Sequence, residues 1–216
     1  MYHHITDLAP TESALEHDWT VAPGNLDAQM SWLVEHGFHT ISLAQLAAFF
    51  TGSQPLPQKP LVLTFDDGWE DDYSTAFPIL KKHNYTATFF VYTSPLDHKQ
   101  FLSWSQLAEM VKAGMEIGSH TLTHPHLKDL STEEAKKEIQ DSKATLEKRL
   151  GIPITTFAYP FGDYTSAIVD QVKQAGYETA VSISGGYNQS SNQLFLLHRI
   201  RVSYKDTLPD FASRLP

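Results

Sequence analysis

The sequence predicts an α/β fold built on a parallel sheet that closes, or nearly closes, into a barrel. Three observations predict it. Strand-like and helix-like segments alternate almost from end to end of the 216 residues. The strand-like runs are apolar on successive positions, as in strands covered on both faces. Polar motifs follow three of those runs directly, at the carboxyl ends where parallel α/β folds build their sites. An open doubly wound sheet is the alternative arrangement.

The strands are expected at 61–65 (LVLTF), 87–93 (ATFFVYT), 155–159 (TTFAY), 179–183 (TAVSI) and 194–202 (LFLLHRIRV), with weaker ones at 39–42 and 116–119. Ser42 with Gln45, Ser103 with Gln106 and Ser131 with Glu134 each fit a capping box at a helix start. Gly37, Gly114, Gly151 and Gly176 stand where helix ends favour a left-handed residue. In the helix after Ser131, residues Ala135, Ile139, Ser142, Leu146 and Leu150 share one face, with Glu133, Lys137 and Lys148 outside. Pro78 should kink the helix that follows Trp69. No period repeats and no linker divides the chain, so residues 1–216 are read as one domain.

Composition narrows the chemistry. With 41% hydrophobic and 19% charged residues the chain suits a globular core. No apolar run is long enough to span a bilayer, and Met1-Tyr2-His3-His4 does not open a signal peptide. The net charge of -9 argues against a nucleic-acid partner. There are no cysteines, which excludes disulfides and thiolate metal sites and leaves histidine and carboxylate as ligands for any metal. Eleven histidines make that ligand type abundant.

Thr64-Phe65-Asp66-Asp67-Gly68 puts two carboxylates at the end of an apolar strand. Asp-Gly is by itself a common turn signal. Successive side chains at a strand end diverge, so one aspartate can hold a metal while the other faces substrate. His120 and His124, four apart, fall on one side of a turn, without the glutamate of the zinc-protease motif. Two histidines and a carboxylate form a facial site with open positions for a catalytic metal, and the spare aspartate supplies a general base.

TFDDG at 64–68, HTLTH at 120–124 and FAYPFG at 157–162 resemble three motifs of the polysaccharide deacetylases. The likeness runs on through FLSWSQLAEMVKAGMEIGSHTLTHPH and covers most of the chain. The resemblance implies a distorted (β/α) barrel of about seven parallel strands. It implies Asp66 as base, Asp67, His120 and His124 as ligands of zinc or of cobalt, nickel or iron, and the Phe161 N–H as an oxyanion donor. The implied substrate is an acetylated polysaccharide at the cell envelope or outside the cell. An arginine often precedes the third motif's proline by two residues; here that position is Ala158, and Arg199 or Arg201 is the candidate replacement. MYHHI and LDAQMSWLVEHGFHTISLAQL resemble the permuted branch that deacetylates poly-β-1,6-N-acetylglucosamine, where the acid is the histidine of an N-terminal Tyr-His, here His3. Leu196-Leu197-His198 fits the ordinary branch's acid motif and competes with it. Trp69, Trp104, Tyr159 and Phe161 are candidates for a sugar groove. O-acetyl ester cleavage on xylan and carbohydrate binding without catalysis are the rival functions.

Overall fold

The computed structural model describes residues 1–8 and 13–216. Strand β1 (His4–Ile5) runs parallel to β2 (Thr20–Val21), which follows helix α1 (Ala14–Trp19). Helix α2 (Pro23–Glu35), β3 (His39–Thr40), α3 (Leu43–Phe50) and β4 (Pro60–Leu61) come next, β3 and β4 forming a second parallel pair. Then follow β5 (Thr64–Asp67), α4 (Phe77–Lys82), β6 (Thr88–Val91), α5 (Trp104–Lys112), β7 (Glu116–Ser119), α6 (Thr132–Leu150), β8 (Thr156–Ala158), α7 (Ser166–Gln174), β9 (Thr179–Val181) and α8 (Leu208–Ser213).

Strands β5 to β9 form one parallel sheet in sequence order, curled into a half-barrel. Among the described residues five strands make up this ladder, against the about seven expected, and the backbone bonding of the two flanking segments gives the reason. Residues 194–202 meet β9 through a single bridge, Leu197 to Val181. Their next backbone groups turn elsewhere: His198 N–H and C=O bond the Gln189 side chain, and Arg199 N–H donates to Ser184. On the other edge Tyr2 bridges Phe65 of β5. Met1 and Val202 are joined by the Val202 N–H to Met1 C=O bond of 3.0 Å. Between these edges lies a cavity of about 370 Å³ with mostly apolar walls, Thr64, Leu197 and Arg199 among them.

The helices follow their sequence signals. All three expected capping boxes are formed, and a fourth joins Thr207 to Asp210. Gly37, Gly114, Gly151 and Gly176 all have positive φ. Ala135, Ile139, Ser142 and Leu146 of α6 are buried. Pro78 lies inside a helical run that extends over residues 70–82. A π-helical turn over Asp72–Ala76 shortly precedes it, the distortion expected where a proline removes a donor from a helix. The apolar face of the sheet packs into one large cluster that includes Tyr2, Phe65, Phe89, Phe157 and Phe211. Side chains of both neighbouring strands crowd Gly118 of β7, where a Cβ would lie 2.5 Å from the Phe90 ring and 2.6 Å from Thr156 Oγ1.

Candidate active site

The three polar motifs converge at the carboxyl ends of β5, β7 and β8. Asp66 and Asp67 close β5, His120 follows β7, and residues 159–162 follow β8. Among the described residues, four of the seven non-glycine residues with positive φ fall in these loops: Asp67 (79°), Thr121 (71°), His124 (60°) and Phe161 (57°). Such backbone strain gathers where surrounding structure holds functional groups in fixed poses.

Asp67 Oδ1 lies 3.5 Å from His120 Nε2 and 3.5 Å from His124 Nε2, and the two nitrogens are 3.1 Å apart. Ligands about 2.0–2.1 Å from a tetrahedral zinc stand roughly 3.3 Å from one another, so these three atoms already outline one face of such a site. Among the described residues this is the one group of three or more histidines and carboxylates so arranged. His120 Nδ1 donates to the Ala158 carbonyl at 2.7 Å, which leaves the Nε2 lone pair facing the cluster. Burial lowers the His120 pKa to about 3 and also lowers that of His124, keeping both imidazoles neutral as ligands must be. Burial, and after it the Asp66 charge, pushes Asp67 up to about 6. A buried and a half-buried neutral imidazole, a carboxylate beside them and converging lone pairs fit a divalent cation.

Asp66 sits next door under different control. Arg199 grips it twice, Nη1 to Oδ1 at 2.6 Å and Nη2 to Oδ2 at 2.7 Å, with both side chains buried. The guanidinium is itself fixed by Ser182 C=O and Thr64 Oγ1. Burial alone would raise the Asp66 pKa; the guanidinium's charge and its two bonds override that and hold the carboxyl well below the usual range. Of the two candidate arginines it is therefore Arg199 that reaches Asp66. Ala158 is fully buried against Phe90, and the Arg199 guanidinium lies 5.7 Å from the same ring. A small residue on β8 leaves that interior space to an arginine entering from the far edge.

His3 lies close enough to Asp66 that each shifts the other's titration. Desolvation lowers His3 to about 4, partly opposed by Asp66, and its Nδ1 is buried without a hydrogen-bond partner. His198 is half-buried, its Nδ1 packed 3.3 Å from where a Gly186 Cβ would stand. The turn that carries Phe161 is closed by the N–H groups of Gly162 and Asp163, and the Phe161 ring stacks on His126 at 3.8 Å and meets His124 at 4.6 Å.

The aromatic candidates separate. Tyr159 is 1% exposed and belongs to the core. Trp104 packs under Arg149 at 4.8 Å, and Trp69 is packed against the His4 and Phe101 rings. Phe161, 41% exposed, is the most exposed of the four. Sequence reading also passed over Glu138 of α6, whose carboxylate accepts from Leu122 N–H, Thr123 N–H and the Thr123 hydroxyl at 2.7–2.9 Å and so pins the loop between the two histidines. No local spacing marks a residue whose partners lie fifteen or sixteen positions away.

Comparison with known proteins agrees with this geometry. The polysaccharide deacetylase family model matches residues 53–180. The Bacillus subtilis protein YxkH, whose name assigns it provisionally to the polysaccharide deacetylases, is 30% identical over 203 residues, 94% of this chain and 70% of its own length. The poly-β-1,6-N-acetyl-D-glucosamine N-deacetylase of Escherichia coli K12 is 24% identical over 99% of this chain, which spans 38% of that enzyme. A Streptococcus pyogenes deacetylase solved with acetate superposes with a TM-score of 0.93 and 28% identity, covering 100% of this chain and 96% of its own. Among the described residues no helix is long and apolar enough to cross a membrane. On the match over 53–180 and the near-complete superposition, the chain belongs to the polysaccharide deacetylase family.

Proposed function

We propose that this chain is a metal-dependent de-N-acetylase of polysaccharides containing N-acetylglucosamine, with a poly-β-1,6-linked polymer of the cell envelope or extracellular matrix as first candidate. The observation that carries the reading is the paired arrangement at the end of β5. Asp67 joins two neutral imidazoles, while Asp66 beside it is held ionised by Arg199. A binding protein needs neither a metal face nor an ionised base.

Asp67, His120 and His124 hold the cation, zinc first, with cobalt, nickel or iron compatible with the same donors. When bound, such a cation supplies Lewis acidity, polarising a carbonyl and bringing the pKa of water toward 7. Asp66 takes the proton of the attacking water, and Arg199 fixes the direction of its lone pairs. The Phe161 N–H, set by its left-handed backbone, donates to the oxygen that gains charge, a contribution of about 3–4 kcal/mol for a well-placed donor. His3, neutral in the free protein, receives the proton from its neighbour Asp66 and passes it to the departing amine nitrogen. One water is consumed; acetate and a free amine are formed.

The test is an acetate-release assay on β-1,6-linked N-acetylglucosamine oligomers and on acetylated xylan, before and after chelation. The reading expects release from the oligomers that chelation abolishes and added zinc restores. Release from xylan alone would make the chain an O-acetyl esterase, and chelator-insensitive turnover would exclude the metal.

A further inference from the structure

The loop after β5 and the N-terminal strand are tied together by a network that the proposed chemistry does not yet use. Asp67 directs Oδ1 at the two imidazoles, and its other oxygen, Oδ2, accepts the indole N–H of Trp69 at 3.1 Å. A carboxylate with one oxygen so engaged presents the other in a single orientation. The indole has little freedom itself. His4 packs on it at 4.2 Å and Phe101 at 4.5 Å, and residues 69 and 101 are bridged through their backbones.

His4 is held in turn. Its Nδ1 meets Asp71 Oδ2 at 2.7 Å, while Asp71 Oδ1 accepts the N–H of Ile5 at 2.8 Å. One carboxylate therefore grips the N-terminal strand both by side chain and by backbone. Neighbouring side chains on a strand point to opposite sides. Seating His4 against Trp69 thus sets the side to which His3 turns, on a stretch that the Tyr2 N–H to Thr64 C=O and Asp66 N–H to Tyr2 C=O bonds, 2.8 and 3.0 Å, hold alongside Asp66.

We propose that Trp69 is a positioning residue for the metal ligand Asp67, braced by the His4–Asp71 pair. The same pair registers His3 against Asp66, so that metal face and proton donor are set by one network. This rests on the metal-site reading above. Partners that orient a ligand typically change metal affinity 10–100-fold when removed. Trp69→Phe deletes the N–H and keeps a ring for His4 and Phe101 to pack on.

The test is zinc affinity of the metal-free full chain, by competition with a chromophoric chelator, alongside thermal melts of the metal-free proteins. Trp69→Phe should bind zinc about 10–100-fold more weakly, with a metal-free melting temperature close to wild type. Asp71→Asn should weaken zinc binding in the same direction, through Trp69. Trp104→Phe, the same chemical change at a site packed under Arg149, should leave affinity unaltered. Wild-type affinity in Trp69→Phe would overturn the inference, as would an equal loss in Trp104→Phe. A wild-type protein that binds no zinc would instead remove the metal reading on which it stands.

Discussion

Asp66→Asn is expected to cut turnover by about 10²–10⁴, the usual range for losing a general base, and to keep one metal per chain. Asparagine fills the same space and still accepts from Arg199, but it cannot take a proton from water. The substitution also leaves a buried guanidinium, 6% exposed, facing a neutral partner. Breaking a buried pair costs about 3–5 kcal/mol in the severe case, so turnover is to be compared at a temperature where melts show both proteins folded. Asp67→Asn is the reciprocal experiment: it should lose metal, because a neutral amide replaces the charged ligand. Metal lost from the first variant and kept by the second would reverse the two roles.

The next largest effect separates two histidines. His3→Ala should lower kcat by about 10²–10⁴ with metal retained. His198→Ala should act mainly on stability. The reason lies in where the two side chains are held: Arg199 turns inward to Asp66, whereas the His198 ring packs beside Gly186 and its backbone is held by Gln189. His3 has Asp66 as an electrostatic neighbour and no hydrogen-bond partner at Nδ1. Loss of turnover in His198→Ala, with His3→Ala active, would move the acid to the other end of the chain.

The local grammar of the chain was legible because its causes are local. Capping boxes at Ser42, Ser103 and Ser131 and left-handed glycines after helices need only neighbours within a turn, and all formed. The carboxyl-end placement of Asp66, His120 and Phe161 was legible for the same reason. Residues 194–202 read as a strand from their β-branched and apolar content, yet their backbone groups bond Gln189 and Ser184 instead of a full ladder. That is a tertiary choice which propensity does not encode. The choice between Arg199 and Arg201 was likewise closed to the sequence, since the Asp66 bond spans 133 positions. The roles of Asp71 and Glu138 depend on which loop folds over which helix, and neither stands in a local motif.

The central claim is that Asp67, His120 and His124 hold one divalent cation. Elemental analysis of the zinc-reconstituted protein, after gel filtration, tests it most directly. The account predicts one metal per chain in the wild type and a stoichiometry near zero in Asp67→Ala, His120→Ala and His124→Ala, each still folded by circular dichroism. Full occupancy in all three variants, or none in a folded wild type, would contradict it.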